Sequence, residues 1–171
     1  MEEPKNKYIL LIDRVGYTLE RYILALGLSM KATPTQVLRG ELLEPIPEAE
    51  QPLDVTRISL VGINRKSLRL ECPTADLFRL SDEEANLLLA IFSLEERYET
   101  FIDGKRLDFG RRLSLGHQVF VSVKGSEQDL PGVVRFKGEL PSCPGTMFGV
   151  ELTVGINLPT KGFMYFSGIL L

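Results

Sequence analysis

Three side chains of this sequence are of the type that performs nucleophilic or acid-base chemistry. Cys72 and Cys143 are the two cysteines, and His117 is the one histidine. A cysteine hydrolase needs its thiolate beside a base that a third group orients, and the residues around either cysteine resemble no nucleophile motif. The three residues also lack the spacing of a disulfide framework or a zinc site. We therefore predict no catalytic residue, no metal and no cofactor in this chain.

Basic and glycine-rich segments are the remaining candidates for chemistry. The sequence has neither a G-x-x-x-x-G-K-[ST] motif nor a strand-linked G-x-G-x-x-G, so it predicts no nucleotide site. The pairs Lys105-Arg106 and Arg111-Arg112 are typical of a solvated surface and do not indicate a nucleic-acid partner. The apolar runs 8–12 and 22–30 are much shorter than the roughly 18 residues of a membrane helix. These features predict a cytoplasmic protein without a membrane partner.

Composition and charge place the chain among globular proteins. It has 171 residues, of which 44% are hydrophobic and 25% are charged. Residues 1–103 carry 12 Lys and Arg against 18 Asp and Glu, giving −6, whereas residues 104–171 carry 8 against 5, giving +3. A modest positive field favours an acidic partner.

The distribution of glycine and proline divides the chain into four parts. Eleven of the fifteen glycines lie between Gly104 and Gly168. Residues 41–52 hold three prolines and four glutamates without a basic residue, as an extended linker would. Upstream of them, Leu19, Tyr22, Ile23 and Leu26 recur at helical spacing. The predicted parts are an N-terminal helical segment (1–40), an acidic Pro-rich linker (41–54), an α+β module of a hairpin and a helix (55–103) and a glycine-rich β domain (104–171).

Local signals refine the third part. Alternating apolar residues between 55 and 80 predict a hairpin followed by an extended segment. Ser81 and Glu84 have the spacing of a capping box, so a helix should begin there and reach Arg97 or Tyr98. The dipeptide Asp103-Gly104 predicts a tight turn that leads into a second hairpin.

Glycines punctuate short apolar segments in the fourth part. Gly132, Gly138, Gly145 and Gly149 are expected at tight turns or where the backbone approaches a neighbour closely. The pattern predicts a small β-barrel that presents a groove.

The same residues resemble the CAP-Gly domain family. The family pattern G-x-V-R-[YF]-x-G, then G-V-E-L, then G-x-x-Y-F is matched in order by 132–138, 149–152 and 162–166. Upstream, the segments 86–91 and 95–98 and Phe101 are similar to the region before the first CAP-Gly domain in the cylindromatosis (CYLD) ubiquitin hydrolase family. The likeness covers roughly residues 82 to 166, and it implies an SH3-like barrel.

The sequence departs from the CAP-Gly pattern at three places. Of the family's G-K-N-D-G element only Gly155 and Asn157 remain, and Met147 stands where the family usually has tryptophan. The chain also stops before the family's last apolar strand, so the expected barrel is incomplete there. An open strand edge of this kind favours self-association.

The resemblance implies a non-catalytic interaction module that binds acidic, aromatic-ended C-terminal tails of tubulin, microtubule-end proteins or ubiquitin-signalling adaptors, with association to the cytoskeleton. An alternative is the N-terminal part of a CYLD-like cysteine deubiquitinase whose catalytic domain is absent from this chain. A third is a degenerate relative whose barrel is only a scaffold. The hypothesised groove residues are Arg135, Phe136, Met147, Phe148, Asn157 and Lys161.

Overall fold

The computed structural model describes residues 6–24, 27–47, 50–122, 128–153 and 163–166, with the backbone alone at 22–24, 27–28 and 163–166. The chain divides into two compact units, Met1–Asp82 and Glu83–Leu171. This division lies upstream of the boundary expected near residue 104, because residues 83–103 form helices that group with the later strands. Helices and antiparallel sheets occur together, so the α+β class is confirmed.

The first unit contains one antiparallel sheet of seven strands and a cluster of buried side chains that forms its core. The core side chains are Leu10, Val37, Leu43, Leu60, Leu68, Leu70 and Cys72. The strands are β1 (Lys7–Leu10), β2 (Arg14–Leu24), β3 (Gly27–Val37), β4 (Leu42–Pro45), β5 (Arg57–Gly62), β6 (Leu68–Pro73) and β7 (Leu77–Leu80), in the order β3-β2-β6-β5-β4-β1-β7. The hairpin predicted between 55 and 80 is confirmed as β5 and β6, in which Leu60 lies opposite Leu70.

The N-terminal helix predicted within 1–40 is wrong. Residues 14–24 and 27–37 form the β2–β3 hairpin, in register from Arg14 opposite Val37 to Leu24 opposite Gly27. β-Branched and aromatic residues such as Val15, Tyr17 and Thr18 favour a pleated strand over a helix. Four apolar residues at helical spacing were too few to outweigh that preference.

The predicted linker at 41–54 is also wrong over its first part. Leu42 and Leu43 are buried in β4, which lies between β1 and β5 in the middle of the sheet. The acidic residues of the segment are accommodated by ion pairs, in which Glu41 contacts Arg65 at 3.2 Å and Glu44 contacts Lys66 at 2.7 Å. Burial of two adjacent leucines therefore decides the conformation, despite the acidic and proline-rich composition.

The second unit combines helices with a four-stranded antiparallel sheet. Its described strands form one open sheet, so the expected barrel is not seen in the described part of the chain. Among the described residues, no helix is long and apolar enough to cross a membrane. The elements are α1 (Asp82–Leu89), α2 (Leu94–Asp103), α3 (Lys105–Arg112), β8 (Gln118–Val121), β9 (Leu130–Leu140), β10 (Cys143–Leu152) and β11 (Phe163–Phe166), with strand order β11-β10-β9-β8.

The helical region differs from the sequence-based prediction in two ways. The helix that starts after Ser81 ends at Leu89, and α2 begins separately at a Ser93 cap whose Oγ accepts a hydrogen bond from the Glu96 N–H at 3.3 Å. Asp103-Gly104 does not open a hairpin. Gly104, at a φ of 67°, ends α2 and precedes α3, because glycine adopts the left-handed conformation that closes a helix.

Candidate functional site

The structure places four of the six predicted groove residues on neighbouring strands. Arg135 and Phe136 lie on β9, and Met147 and Phe148 lie on β10, with Phe136 opposite Gly149. The other two predicted residues, Asn157 and Lys161, lie outside the described residues.

Met147 and Phe148 do not have the exposure of groove residues. Their relative exposures are 4% and 3%. Lys137 covers the Phe148 ring, with its Nζ 5.8 Å from the ring centroid, and donates hydrogen bonds of 3.1 Å to the carbonyl oxygens of Gly110 and Arg111 at the end of α3. Lys137 therefore caps the C-terminal end of α3 and shields the Phe148 ring from solvent. Both side chains therefore belong to the core of the second unit.

Arg135 lies at an irregularity in the sheet. The register between β9 and β10 shifts between Gly149 and Val150, so Arg135 is an extra residue on its strand. A bulge of this kind redirects side chains. The Arg135 Nε contacts Glu151 Oε2 at 2.7 Å, and both side chains are about half exposed. Arg135 therefore presents its charge on the solvent-facing side of the sheet, already paired with a carboxylate.

The same side of the sheet carries an apolar patch that the sequence analysis did not select. Cross-strand pairing puts Phe120 opposite Pro131, and Gln118 and Glu151 opposite Val133. Residues directly opposite one another share a face of the sheet. A shallow cavity of about 160 Å³ lies here, and Phe120 beside it is 70% exposed. We call Phe120, Pro131 and Val133, with Gln118 and Thr153 at the margin, the Phe120 surface.

Alternation along β8 was the signal that could have identified this surface. Val121 is buried, at 4% exposure, whereas Phe120 next to it points to solvent. A two-residue period therefore assigns Phe120 to the outer face. β8 is also the last strand of its sheet in the described part of the chain. An exposed edge beside an apolar patch is a common arrangement for binding an extended peptide.

The positive charge expected for residues 104–171 is largely balanced by acidic residues elsewhere in the second unit. Residues 83–171 carry 9 Lys and Arg against 11 Asp and Glu, giving −2. The helices supply the acidic partners: Arg106 contacts Glu96 at 3.4 Å, and Arg111 contacts Glu83 at 3.6 Å. The positive field inferred from 104–171 alone is therefore compensated by α1 and α2.

About half of the chain is similar to ubiquitin carboxyl-terminal hydrolases named CYLD. The protein from Pongo abelii is 35% identical over 99 residues, covering 56% of this chain and 10% of that protein. The protein from Homo sapiens is 39% identical over 80 residues, covering 45% of this chain and 8% of that protein. This chain contains a CYLD-like region. The CYLD-like match spans at most a tenth of the relatives' length.

Two further comparisons gave no match. Neither a protein-family model nor a solved structure matches this chain. The similarity to CYLD proteins is therefore a similarity of sequence over about half of the chain.

Because the CYLD relatives are named hydrolases, the positions of the thiols and the histidine are of interest. Cys72 is fully buried in the first unit, and burial raises the pKa of its thiol to about 11. Cys143 lies 3.9 Å from the Ser142 hydroxyl, measured to its Sγ. The His117 Nδ1 accepts a hydrogen bond from the Ser114 N–H at 3.2 Å. The contacts of these described residues do not form a thiol–imidazole pair.

Burial of Cys72 gives a testable result. At neutral pH we expect a thiol reagent to modify Cys143 in the native chain and to modify Cys72 only after denaturation, because the buried thiol is protonated and inaccessible. The pKa of the Cys72 thiol in the folded state lies above the ordinary 9.0. The stabilisation of the folded state by the protonated thiol should therefore be present below pH 9 and lost as the pH rises towards about 11. Mass spectrometry of alkylated peptides checks the first expectation. Equal modification rates of the two cysteines in the native chain would contradict it.

Proposed function

We propose that this chain is a non-catalytic protein-interaction segment of CYLD type. In this proposal the second unit is a CAP-Gly-like module that binds acidic, aromatic-ended C-terminal tails, such as those of tubulin or ubiquitin-signalling adaptors. The observation that carries the proposal is the Phe120 surface, an exposed apolar patch beside the last strand of its sheet in the described part of the chain. The CYLD-like sequence similarity supports the proposal independently.

The proposed binding mode follows from the chemistry of that surface. The terminal aromatic ring of a peptide would pack on Phe120, Pro131 and Val133, while Arg135 would exchange Glu151 for a carboxylate of the tail. Exposed ion pairs contribute about 0 to 1 kcal/mol each, so such an exchange adds little net free energy. Apolar burial should therefore dominate the affinity, and added salt should weaken binding only modestly.

We expect Phe120→Ala to weaken binding of a peptide ending in Glu-Glu-Tyr by about tenfold, or 1.4 kcal/mol. The ring is exposed, so its removal should leave folding intact. The measurement is an amide NMR titration of the full chain, with shifts expected at 118–120, 132 and 133. Phe92→Ala is the matched control, because Phe92 is a 63% exposed phenylalanine of the same unit that is not part of the Phe120 surface.

Three outcomes would contradict binding at the Phe120 surface. If Phe92→Ala and Phe120→Ala weakened binding equally, the patch would not be the binding site. If a dispersed spectrum did not respond to the peptide at all, the second unit would be a scaffold without this activity. A response confined to Asn157 and Lys161 would place the binding site at those two residues and not at the Phe120 surface.

The alternative function is that of the N-terminal part of a CYLD-like deubiquitinase. The names of the relatives favour it, since they describe ubiquitin carboxyl-terminal hydrolases. In both readings the residues of this chain are non-catalytic, and the readings differ in whether the chain belongs to a longer protein that contains a catalytic domain. Ubiquitin carrying a thiol-reactive group at its C-terminus should form no adduct with Cys72 or Cys143. An adduct that native folding promotes would assign catalysis to this chain.

A further inference from the structure

The backbone hydrogen bonds of β9 show which way each of its residues points. The Val134 N–H donates to the His117 carbonyl oxygen at 2.9 Å, on the side of β8. The Thr153 N–H donates to the Pro131 carbonyl oxygen at 2.9 Å, on the side of β10. Backbone groups of successive residues in an antiparallel strand point to alternate sides. The even-numbered residues of β9 from 130 to 134 therefore bond to β8, and the odd-numbered ones face β10.

This alternation also assigns the backbone groups of β8. Val119 lies opposite Gly132, so the N–H and C=O of Val119 point towards β9. Gln118 and Phe120, on either side of Val119, direct their N–H and C=O away from β9. β8 is the last strand of its sheet in the described part of the chain, so these groups lie along an open edge. The edge therefore offers two hydrogen-bonding residues, which match three consecutive residues of an extended peptide.

The same two residues carry side chains of the Phe120 surface. Residues directly opposite one another in a sheet share a face, and the shallow cavity of about 160 Å³ is lined by both Gln118 and Phe120. A peptide residue paired opposite Phe120 or Gln118 would donate its N–H to β8 and place its side chain on the Phe120 surface. The intervening peptide residue would do neither. Backbone pairing and side-chain recognition would therefore depend on the same alternate residues of the peptide.

The edge strand β3 of the first unit offers a contrast. The Leu19 N–H donates to the Ser67 carbonyl oxygen at 2.9 Å, so the odd-numbered residues of β2 face away from β3. Pro34, opposite Tyr17, therefore directs its nitrogen, which carries no hydrogen, to the outer side of β3. Proline and charged residues such as Lys31 discourage the addition of a further strand. The sequence of β8 contains neither a charged residue nor a proline.

We propose that the aromatic-ended tail binds as an additional strand on the edge of β8, an inference that rests on the proposed function. The last residue of the tail, position 0, and the residue at position −2 pair with β8 and face the Phe120 surface. An extended C-terminal tail is the occupant argued here because the edge requires backbone partners, the surface accepts an aromatic ring, and the half-exposed Arg135 on the same side can exchange Glu151 for the tail's carboxylate. The tail is then read at alternate positions.

N-methylation of single peptide amides tests this pattern without any change in the protein. In a peptide ending in Glu-Glu-Tyr, we expect N-methylation at position 0 or −2 to raise Kd at least tenfold, because each of these N–H groups is a donor to β8. N-methylation at position −1 should change Kd by less than twofold, since that N–H points away from the edge. Isothermal titration calorimetry with the full chain measures the three values against the unmodified peptide.

A backbone change in the protein tests the same hydrogen bonds from the other side. Gln118→Pro removes the N–H at the open edge and keeps the bonds between β8 and β9, a position at which strands tolerate proline. Gln118→Ala removes the side chain and retains the N–H. We expect the proline variant to bind the peptide at least tenfold more weakly than the alanine variant. Amide dispersion establishes that each variant is folded, and the N-methylated peptides decide the question if the proline variant is not.

Three results would overturn strand addition. Equal effects of N-methylation at the three positions, with Phe120→Ala still weakening binding, would overturn it and leave the proposed function intact. An unmodified peptide that does not bind would overturn both. Self-association of the free chain in sedimentation velocity that Gln118→Pro removes, together with no effect of N-methylation, would assign the edge to a second copy of the chain.

Discussion

Replacing Gly145 with alanine should destabilise the second unit by about 4 kcal/mol, among the larger effects of a single substitution. Gly145 has a φ of 82°, in the left-handed region that disfavours a side chain. An added Cβ would meet the Asn86 carbonyl oxygen, the Ala90 nitrogen at 2.6 Å and the Leu89 Cβ at 2.8 Å. Because two of these atoms are backbone atoms at the end of α1, they cannot rotate away. The helix would have to move off the start of β10.

Gly104→Ala is the control that separates the free-energy cost of backbone strain from that of a steric clash. Its φ of 67° is also left-handed, but an added Cβ would have no neighbour within 4 Å. Conformational strain alone should cost about 1 to 2 kcal/mol. Urea unfolding of both variants, followed by probes in the second unit, gives the two free energies. Equal losses would show that α1 does not pack on the Gly145 backbone as described.

Replacing Arg97 with methionine should lower the free energy of unfolding of the second unit by about 3 kcal/mol, because hydrogen bonds from charged groups are lost inside the protein. Arg97 is only 4% exposed. Its Nε donates to the carbonyl oxygens of Leu88 at 2.9 Å and Ile91 at 3.1 Å, and its Nη2 donates to Ile91 at 2.6 Å. Methionine preserves much of the volume but removes these three hydrogen bonds, although the Leu88 carbonyl oxygen keeps its hydrogen bond from the Ile91 N–H at 3.1 Å.

Arg112→Met provides the surface comparison. Arg112 is 82% exposed in its side chain and contacts Asp108 at 3.7 Å. An exposed pair of this kind should change stability by at most about 0.5 kcal/mol. Paired urea titrations measure the difference. If the two arginine variants were equally stable, the connection between α1 and α2 would not depend on the buried guanidinium.

Arg97 also illustrates what the sequence could and could not predict. The acidic start of α1 and the alternation of β5 and β6 are local signals, and both elements form as expected. The sequence favoured one helix reaching Arg97 or Tyr98, but the structure has a break between α1 and α2. The buried Arg97 side chain stabilises this break through its hydrogen bonds to the carbonyl oxygens of Leu88 and Ile91. Such a non-local hydrogen bond leaves no periodic signal in the sequence.

The same distinction applies to larger segments. Residues 14–24 become a strand because a long partner at 27–37 supplies its hydrogen bonds, and helical spacing within one segment could not reveal that partner. Glu41 is buried because Arg65 lies opposite it, so composition alone misassigned the segment as a linker. In both cases the deciding contact comes from residues outside the segment itself.

In the candidate site, four of the hypothesised groove residues, Arg135, Phe136, Met147 and Phe148, lie on two paired strands. Motif matching does not tell which of these side chains point inward, and Met147 and Phe148 are core residues. Phe120 lies outside the matched motif blocks. It becomes noticeable only when the alternation of β8 and its pairing with Pro131 are considered together.

The charge compensation supplied by α1 and α2 has a practical consequence for fragments of this protein. A piece beginning at residue 104 would retain Arg111 and Lys137 without Glu83, and would lose the Asn86 and Ala90 backbone that Gly145 packs against. Its charge would be +3 instead of the −2 carried by residues 83–171. Such a fragment should adhere to cation-exchange resin, heparin and nucleic acid through side chains that the second unit normally pairs internally. Binding seen only with that fragment would therefore result from the loss of these acidic partners, which a fragment beginning at Ser81 would retain on α1 and α2.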